Sequence, residues 1–317
     1  MQKRVLICGA SGFIGRNLFE YLSQRSDLDV YGTYLNRKFS ESNKLLKADL
    51  TDNKRARTIT MGVDVVINAA AITDGSGAVA ADPGKYVADN NRINTNLIES
   101  VCRNGVAHFV LLSCSILYPW KNIGPVKEGS VDLSEIHPKY FMFAQLKVFA
   151  EDMCKFYSRL GHTRFTVVRH SNIYGPYDKF STRGHVFGAT VAKIMSPENE
   201  KVVVWGDGHE VRDLLHVSDL IRLFEIALNH GNPYDVFNAG SGYPVSVREL
   251  VEKINSISGR NLPVDYDLSR PSIDTKIILD ITKAKEILGW QPQIDIDEGI
   301  RQTIDWHLKN REAKNER

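Results

Sequence analysis

Cysteine is scarce and scattered in this chain. Its four copies, Cys8, Cys102, Cys114 and Cys154, have neither the spacing of a metal cluster nor the density of a disulfide framework. That excludes a small stapled fold and points to a reducing, cytoplasmic setting. No apolar run approaches the roughly 18 residues that a membrane span needs, and the first residues enter a strand pattern without a charged-then-apolar leader. An excess of one charge is missing too: 40 Lys and Arg stand against 38 Asp and Glu, interspersed, for a net +2. This balance excludes an electrostatic nucleic-acid footprint and a polybasic membrane anchor, and leaves room for a small anionic ligand. With 43% hydrophobic residues over 317 positions, the chain can bury a substantial core, in one large or two coupled domains.

What is present begins at the N-terminus. An apolar strand, Arg4-Val-Leu-Ile-Cys, runs into Gly9-Ala-Ser-Gly12-Phe-Ile-Gly15 and then into a helical pattern at Asn17, Leu18, Tyr21 and Leu22. Glycines at this junction let a phosphate approach bare backbone at a helix N-terminus, which is the outline of a dinucleotide site. A plain βα turn is the alternative, and the strand before and helix after weigh against it. Gly9, Ser11, Gly12, Phe13, Ile14 and Gly15 are the candidate cofactor contacts.

A second strand, Val30–Tyr34, ends where such folds test the adenosine ribose. An acid there would favour NAD; here Tyr34 is followed by Asn36, Arg37 and Lys38, which leans towards a 2′-phosphate and NADP, with a solvated turn as the bland reading. Asp49 and Leu50 follow a short strand and face the adenine. The apolar run from Val63 to Ala71 suits a central parallel strand, its small Ala69, Ala70 and Ala71 letting a dinucleotide pass close. Residues 90 to 104 form a helix with apolar positions at Ile93, Leu97, Ile98 and Val101, stopped by Gly105, and Asn90 at its start is a further cofactor candidate. The strand Phe109-Val-Leu-Leu ends in Ser113-Cys114-Ser115-Ile-Leu-Tyr118-Pro119, so polar residues cluster where open α/β sheets place their ligands. A helix from about Tyr140 to Leu160 carries Lys147, and the strand Phe165–Arg169 precedes His170-Ser-Asn172-Ile-Tyr-Gly175-Pro176.

Alternating strands and helices without repeats indicate a doubly wound parallel sheet with a smaller C-terminal α/β domain. The expected division is 1–171 for dinucleotide binding, with a segment near 213–238 returning to it, and 172–317 for the substrate. In the latter we expect a helix near Val186 to Met195, a strand at Val202–Trp205, a helix beginning within Arg212–Asp219, a strand at Val236–Asn238, and helices after Ser246 and Leu288-Gly289-Trp290.

These motifs together resemble the extended short-chain dehydrogenase/reductases that act on nucleotide sugars, within them the GDP-L-fucose synthase branch. The likeness runs over nearly the whole chain, through the glycine turn, Ser113 to Pro119, Lys147, Asn172 to Pro176, His185-Val186, Val203 to Gly206, Arg212 to Val217 and Leu288 to Trp290. It implies hydride transfer between NADP or NAD and C4 of a GDP-linked 4-keto sugar. Lys147 would hold the nicotinamide ribose, Asn172, Val186, Lys193, Arg212 and Lys276 the sugar nucleotide, and two chains would form a homodimer. A catalytically silent nucleotide-binding subunit and a 4-epimerase with tightly held NAD are the alternatives.

Three positions depart from the family's pattern. Counted back from Lys147, the tyrosine of its Tyr-x-x-x-Lys pair is Phe143, which has no exchangeable proton. Either the chain is an engineered Tyr→Phe exchange, which the retained Lys147 favours, or it is a natural member with another acid. Tyr140 lies one turn away and would need a changed pose to substitute. The serine position holds Cys114, a weak donor, with Ser115 as the nearby hydroxyl. His185 matches the family's epimerising acid, but its cysteine partner falls on Ile116, so double epimerisation is in doubt.

Overall fold

The computed structural model describes residues 2–73, 82, 84–121, 124–182, 184–270 and 275–315. Its main feature is a seven-stranded, all-parallel sheet in the order β11-β7-β5-β4-β1-β2-β3. These strands are β1 (Lys3–Cys8), β2 (Leu28–Tyr34), β3 (Leu45–Lys47), β4 (Val65–Asn68), β5 (His108–Cys114), β7 (Arg164–His170) and β11 (Tyr234–Ala239). β1, β4 and β5 carry near-continuous apolar runs (Val5–Cys8, Val65–Ile67 and Phe109–Leu112) because helices cover both faces. On one face, α1 (Phe13–Leu22) and α6 (Val217–Ala227) bury Leu18, Leu22, Leu220 and Phe224 against Val5, Ile7 and Val110. On the other, α3 (Gly84–Arg103) and α4 (Phe141–Ser158) bury Leu97, Ile98 and Ala150 against Leu6, Phe109 and Phe165. The strand order reverses direction between β1 and β4, so a crevice opens at their C-terminal ends.

The remaining elements are α2 (Asn53–Ile59), β6 (Pro125–Val126), β8 (Asn172–Tyr174), α5 (Val186–Met195), β9 (Val202–Trp205), β10 (Val211–His216), β12 (Pro244–Ser246), α7 (Val247–Ile257), β13 (Val264–Asp267), β14 (Ile278–Leu279), α8 (Thr282–Leu288) and α9 (Ile296–Asn315). β12, β10 and β8 form a second sheet, while β13 with β9 and β14 with β6 form parallel pairs. A separate apolar cluster, including Phe187, Val191, Leu250, Ile254 and Ile300, packs α5, α7 and α9 together. β11 is the edge strand of the large sheet and α6 packs on one of its faces, while residues 213–216 lie in β10 of the second sheet. Among the described residues, no helix is long and apolar enough to cross a membrane.

The structure corrects several sequence boundaries. Residues 211–216 form a strand, β10, rather than the start of a helix, because Leu214 and Leu215 pair with Asn172 and Ile173 of β8. The helix begins only at Val217, where the His216 ring accepts the Ser218 N–H as a cap. The helix expected from Asn90 starts at Gly84 and buries Tyr86. The strand expected to reach Ala71 ends at Asn68, whose amide turns to the Ala70 N–H and to Asn94.

Candidate active site

The glycine turn is forced by contact. Gly9 has φ +79°, and a Cβ there would lie 2.6 Å from Ala70 Cα; a Cβ at Gly15 would lie 2.2 Å from the Gly9 carbonyl oxygen. Gly9 therefore lets β1 pass β4, and Gly15 lets α1 sit on the turn. A Cβ on Gly12 would meet only the Gly9 oxygen, at 3.3 Å. No side chain caps α1 at Gly12, so the helix presents its first N–H groups, from Phe13, Ile14 and Gly15, to the crevice. Ser11 is exposed beside them. Thr33, which sequence reasoning missed, accepts the Gly9 N–H at 2.9 Å from the neighbouring strand.

Around this cradle, Asn36 and Arg37 are exposed at the end of β2. Arg16, also missed although it directly follows Gly15, lies between the rings of Phe39 (4.7 Å) and Tyr177 (4.0 Å) and pairs with Glu20. Asp49 is exposed and accepts two bonds from Thr51, above buried Leu50. Ala69 and Ala70 line the crevice beside Gly9, and Ala71 is exposed. The Asn90 amide is committed to the Ile72 backbone in both directions, 2.8 and 2.9 Å. It braces the loop after β4.

Beyond β4 the structure gathers a second group. Lys147, on α4, donates to the Leu112 carbonyl of β5 at 2.9 Å. Cys114 and His170 are register partners at the ends of β5 and β7. Burial pushes the Cys114 thiol up, so it stays protonated as a weak donor. Ser115 follows it, half-buried, opening a 3-10 turn. Phe143 is half-buried with its ring 6.4 Å from the Tyr86 ring. Tyr140, at the N-cap of α4, packs with the Leu117, Tyr118 and Ala144 cluster, 5.7 Å from the His137 ring. It thus takes part in that cluster one turn below the Phe143 position.

Beneath these residues lies a buried polar network that sequence reasoning missed. The Ser113 hydroxyl donates to Glu151 at 2.5 Å, and Arg169 grips the same carboxylate with Nε and Nη2. Arg169 also donates to the Tyr118 hydroxyl, which in turn donates to Asn238. Glu151 follows Lys147 by four residues, so one face of α4 carries both; that spacing was the available signal.

The opposite wall comes from the second sheet and its helices. His185 is exposed at the N-cap of α5, and Val186 begins the helix. Asn172, at the start of β8, donates to the Asp213 carbonyl at 3.3 Å. Lys193 donates to the Val203 carbonyl at 2.8 Å, and burial lowers its pKa. Trp205 is 47% exposed, with Lys193 Nζ 5.8 Å and Arg270 5.4 Å from its ring. Arg212 donates to Thr275 through both its carbonyl and hydroxyl oxygens. Lys276 is exposed, its backbone N–H bonded to the Trp120 carbonyl. Residues 176–177 tie this wall to the glycine helix: Asn17 donates to the Pro176 carbonyl, the Tyr177 hydroxyl donates to the Glu20 carboxylate, and Arg16 lies over the Tyr177 ring.

A model of the NAD dependent epimerase/dehydratase family matches residues 5–240. The chain belongs to that family. It is 28% identical to the GDP-L-fucose synthase of Escherichia coli, with 98% of each chain covered. It is 31% identical to GDP-L-fucose synthase 1 of Arabidopsis thaliana, with 77% of each covered. Among solved structures, the UDP-glucose 4-epimerase of Thermotoga maritima superposes with a TM-score of 0.84 at 25% identity, covering 97% of this chain and 99% of that one. The family's cofactor is the nicotinamide dinucleotide NAD. The residues fit it, since the uncapped helix start and the turn that side chains would fill leave room and N–H donors for a pyrophosphate.

Titration of this family member should show in its stability. Burial pushes His108, His170 and His216 each down to about 4. The folded chain keeps them neutral while the unfolded chain protonates near 6.5, so stability falls as pH drops from 6.5 towards 4, by roughly 3 kcal/mol for each fully buried ring and less for half-buried His170. Asp178 works in the opposite sense: burial raises it to about 7, so the fold takes up a proton there and gains stability as pH falls through 7. Thermal unfolding should show a net loss between pH 7 and pH 5. Asp178→Asn should steepen it. A flat or rising melting temperature in wild type would contradict the assignment.

Proposed function

We propose that this chain is an NAD(P)-dependent nucleotide-sugar oxidoreductase that acts at C4 of a GDP-linked hexose, with turnover limited by Phe143 and without double epimerisation. The observation that carries this reading is the placement of Lys147 at the C-terminal end of β5 beside Cys114, next to the crevice that receives the dinucleotide. The bound nicotinamide supplies or accepts a hydride. Lys147 orients the nicotinamide ribose with its ammonium group, and Cys114 or Ser115 donates a weak hydrogen bond to the C4 oxygen. Asn36 and Arg37, with no acid at the ribose position, favour NADP over NAD.

On the opposite wall, Arg212 and Lys193 hold the pyrophosphate, with Lys276 as a third cation, and the exposed face of Trp205 stacks the base. Asn172 and Val186 contact the sugar nucleotide between them. Names of relatives that act on GDP-linked sugars support the GDP assignment. The chain divides at about residue 171 into dinucleotide and sugar-nucleotide units, with 213–238 returning to the first. Exposed Met142, Phe149 and Phe156 recur every seven residues along α4. They form one apolar stripe that we assign to a homodimer contact with α3 and α4 of a second copy. Four free thiols suit the cytoplasm.

Arg212→Ala tests the reading. It should weaken binding of a GDP-sugar by roughly 10- to 100-fold, the worth of a charge-assisted bond to phosphate, and leave dinucleotide binding unchanged. Equal losses in the two titrations would sink it. Phe143 and Cys114 favour one second reading, a silent nucleotide-binding subunit. A single-turnover incubation with reduced cofactor and a GDP-linked 4-keto sugar separates the two, since only an enzyme makes product.

A further inference from the structure

Position 143 lacks the hydroxyl that would exchange a proton with the sugar, and nothing in the proposed oxidoreductase so far supplies one. Among the described residues, the side chains gathered at the ends of β5 and β7 are Lys147, which donates to the Leu112 carbonyl, the thiol of Cys114, Ser115, and His170. Of these, His170 is built for the task. It ends β7 in register with Cys114 at the end of β5. Side chains alternate along a strand, so Ser113 and Arg169 turn to Glu151 on one face while Cys114 and His170 take the other.

Its ring nitrogens are distinguished by their surroundings. Nδ1 lies 2.6 Å from the Ser171 carbonyl oxygen. A carbonyl can only accept, so Nδ1 carries the proton and Nε2 holds a bare lone pair. The residue as a whole is half-buried. Among the described residues, Cys114 of β5 is its register partner, and Lys147 of α4 and His185 at the start of α5 are the titratable groups that act on it. Burial, and after it the nearness of Lys147 and His185, disfavours its protonated form. A neutral imidazole with its tautomer fixed from behind and its lone pair forward is a proton acceptor held ready.

We propose that His170 is the catalytic base of this site, taking through Nε2 the proton that a tyrosine at position 143 would otherwise take. In the oxidising direction, the sugar O–H bond breaks and its proton passes to Nε2. The C–H electron pair leaves as hydride to the oxidised nicotinamide, and a C=O bond and an imidazolium remain. In the reducing direction the imidazolium returns the proton to the oxygen as hydride arrives. The proposal rests on the oxidoreductase reading above.

The test uses the full chain with NADP⁺ and GDP-L-fucose, and compares wild type, His170→Gln, Phe143→Tyr and the double variant. His170→Gln should lower kcat by roughly 10²- to 10⁴-fold with the dissociation constant for NADP⁺ unchanged, and the pH dependence of kcat should lose one ionisation. In the Phe143→Tyr background the same change should cost less than about ten-fold, because the phenol then supplies the route. Imidazole added to His170→Ala should restore turnover. Nitrogen NMR of histidine-labelled wild type gives a readout independent of turnover: the signal absent from His170→Gln should be that of an unprotonated Nε2, and should move when NADP⁺ and GDP-L-fucose bind. Turnover that survives His170→Gln, or an Nε2 that carries the proton or ignores both ligands, overturns the proposal. Wild type and Phe143→Tyr both inactive on GDP- and UDP-linked hexoses, with dinucleotide still bound, overturns the oxidoreductase reading, and the proposal with it.

Discussion

Phe143→Tyr should raise turnover by roughly 10²-fold, the low end of what a positioned general acid-base contributes. The new phenol would stand four residues before Lys147 on one face of α4, where the ammonium favours its anion and lowers a pKa that is about 10 when unperturbed. The helix is already set for it. Phe143 is half-buried against Tyr86, whose ring centre is 6.4 Å away. Lys147 is fixed on the Leu112 carbonyl at 2.9 Å and reaches the end of β5. A phenol with a lowered pKa is better matched to neutral pH than an imidazole that burial holds near 4, so the variant should outrun the wild type. Nicotinamide absorbance during turnover of a GDP-sugar reads the change. An unchanged rate would mean that proton exchange does not limit this site and that Phe143 is no impairment.

Glu151→Ala should destabilise the fold by about 3–5 kcal/mol, the cost of leaving one member of a buried ion pair without its partner. The side chains of Arg169 and Glu151 are 8% and 4% exposed and meet at 2.5 Å. Removing the carboxylate strips three bonds from the guanidinium and one from the Ser113 hydroxyl. Arg169 would stay charged, since a guanidinium is protonated far above neutral pH, and it would lose the carboxylate that favours its charge in wild type; its remaining bonds to Tyr118 and the Glu128 carbonyl do not balance that charge. The network also joins α4, which carries Lys147, to the ends of β5 and β7, which carry Cys114 and His170. Glu151→Ala should therefore lower turnover as well as the melting temperature. Glu151→Gln, which keeps two hydrogen-bonding atoms, should lose less of both. Calorimetry on the three proteins checks this, and a melting temperature within a degree of wild type for Glu151→Ala would show that the pair is not needed for the fold.

The dinucleotide cradle was legible because its chemistry is local. Gly9, Gly12 and Gly15 sit within seven residues, bounded by an apolar strand and a helical pattern, and strand, turn and helix are contiguous in the chain. Lys147, Cys114, Asn172 and Arg212 became candidates only through family likeness, since they lie far apart in sequence and no spacing joins them. The strand at 211–216 was misread for a related reason. Arg212-Asp-Leu-Leu-His216 has no alternation of its own, and its conformation is set by pairing with Asn172 and Ile173 some forty residues away.

By itself, then, the amino-acid sequence determined the alternating α/β order, the parallel sheet, the glycine turn and the absence of a hydroxyl at position 143. These follow from local backbone preference, apolar periodicity and side-chain identity. Only the tertiary structure decided that Gly9 must clear Ala70, that Asn90 is spent on the Ile72 backbone, that Glu151 and Arg169 share a buried pair, and that His170 stands beside Cys114 with one nitrogen bonded and the other bare. The physical reason is that partners and register are properties of distance in space: β5 and β7 bring Cys114 and His170 together across fifty-odd residues of chain, and a hydrogen bond of 2.6 Å selects a tautomer that no sequence pattern encodes.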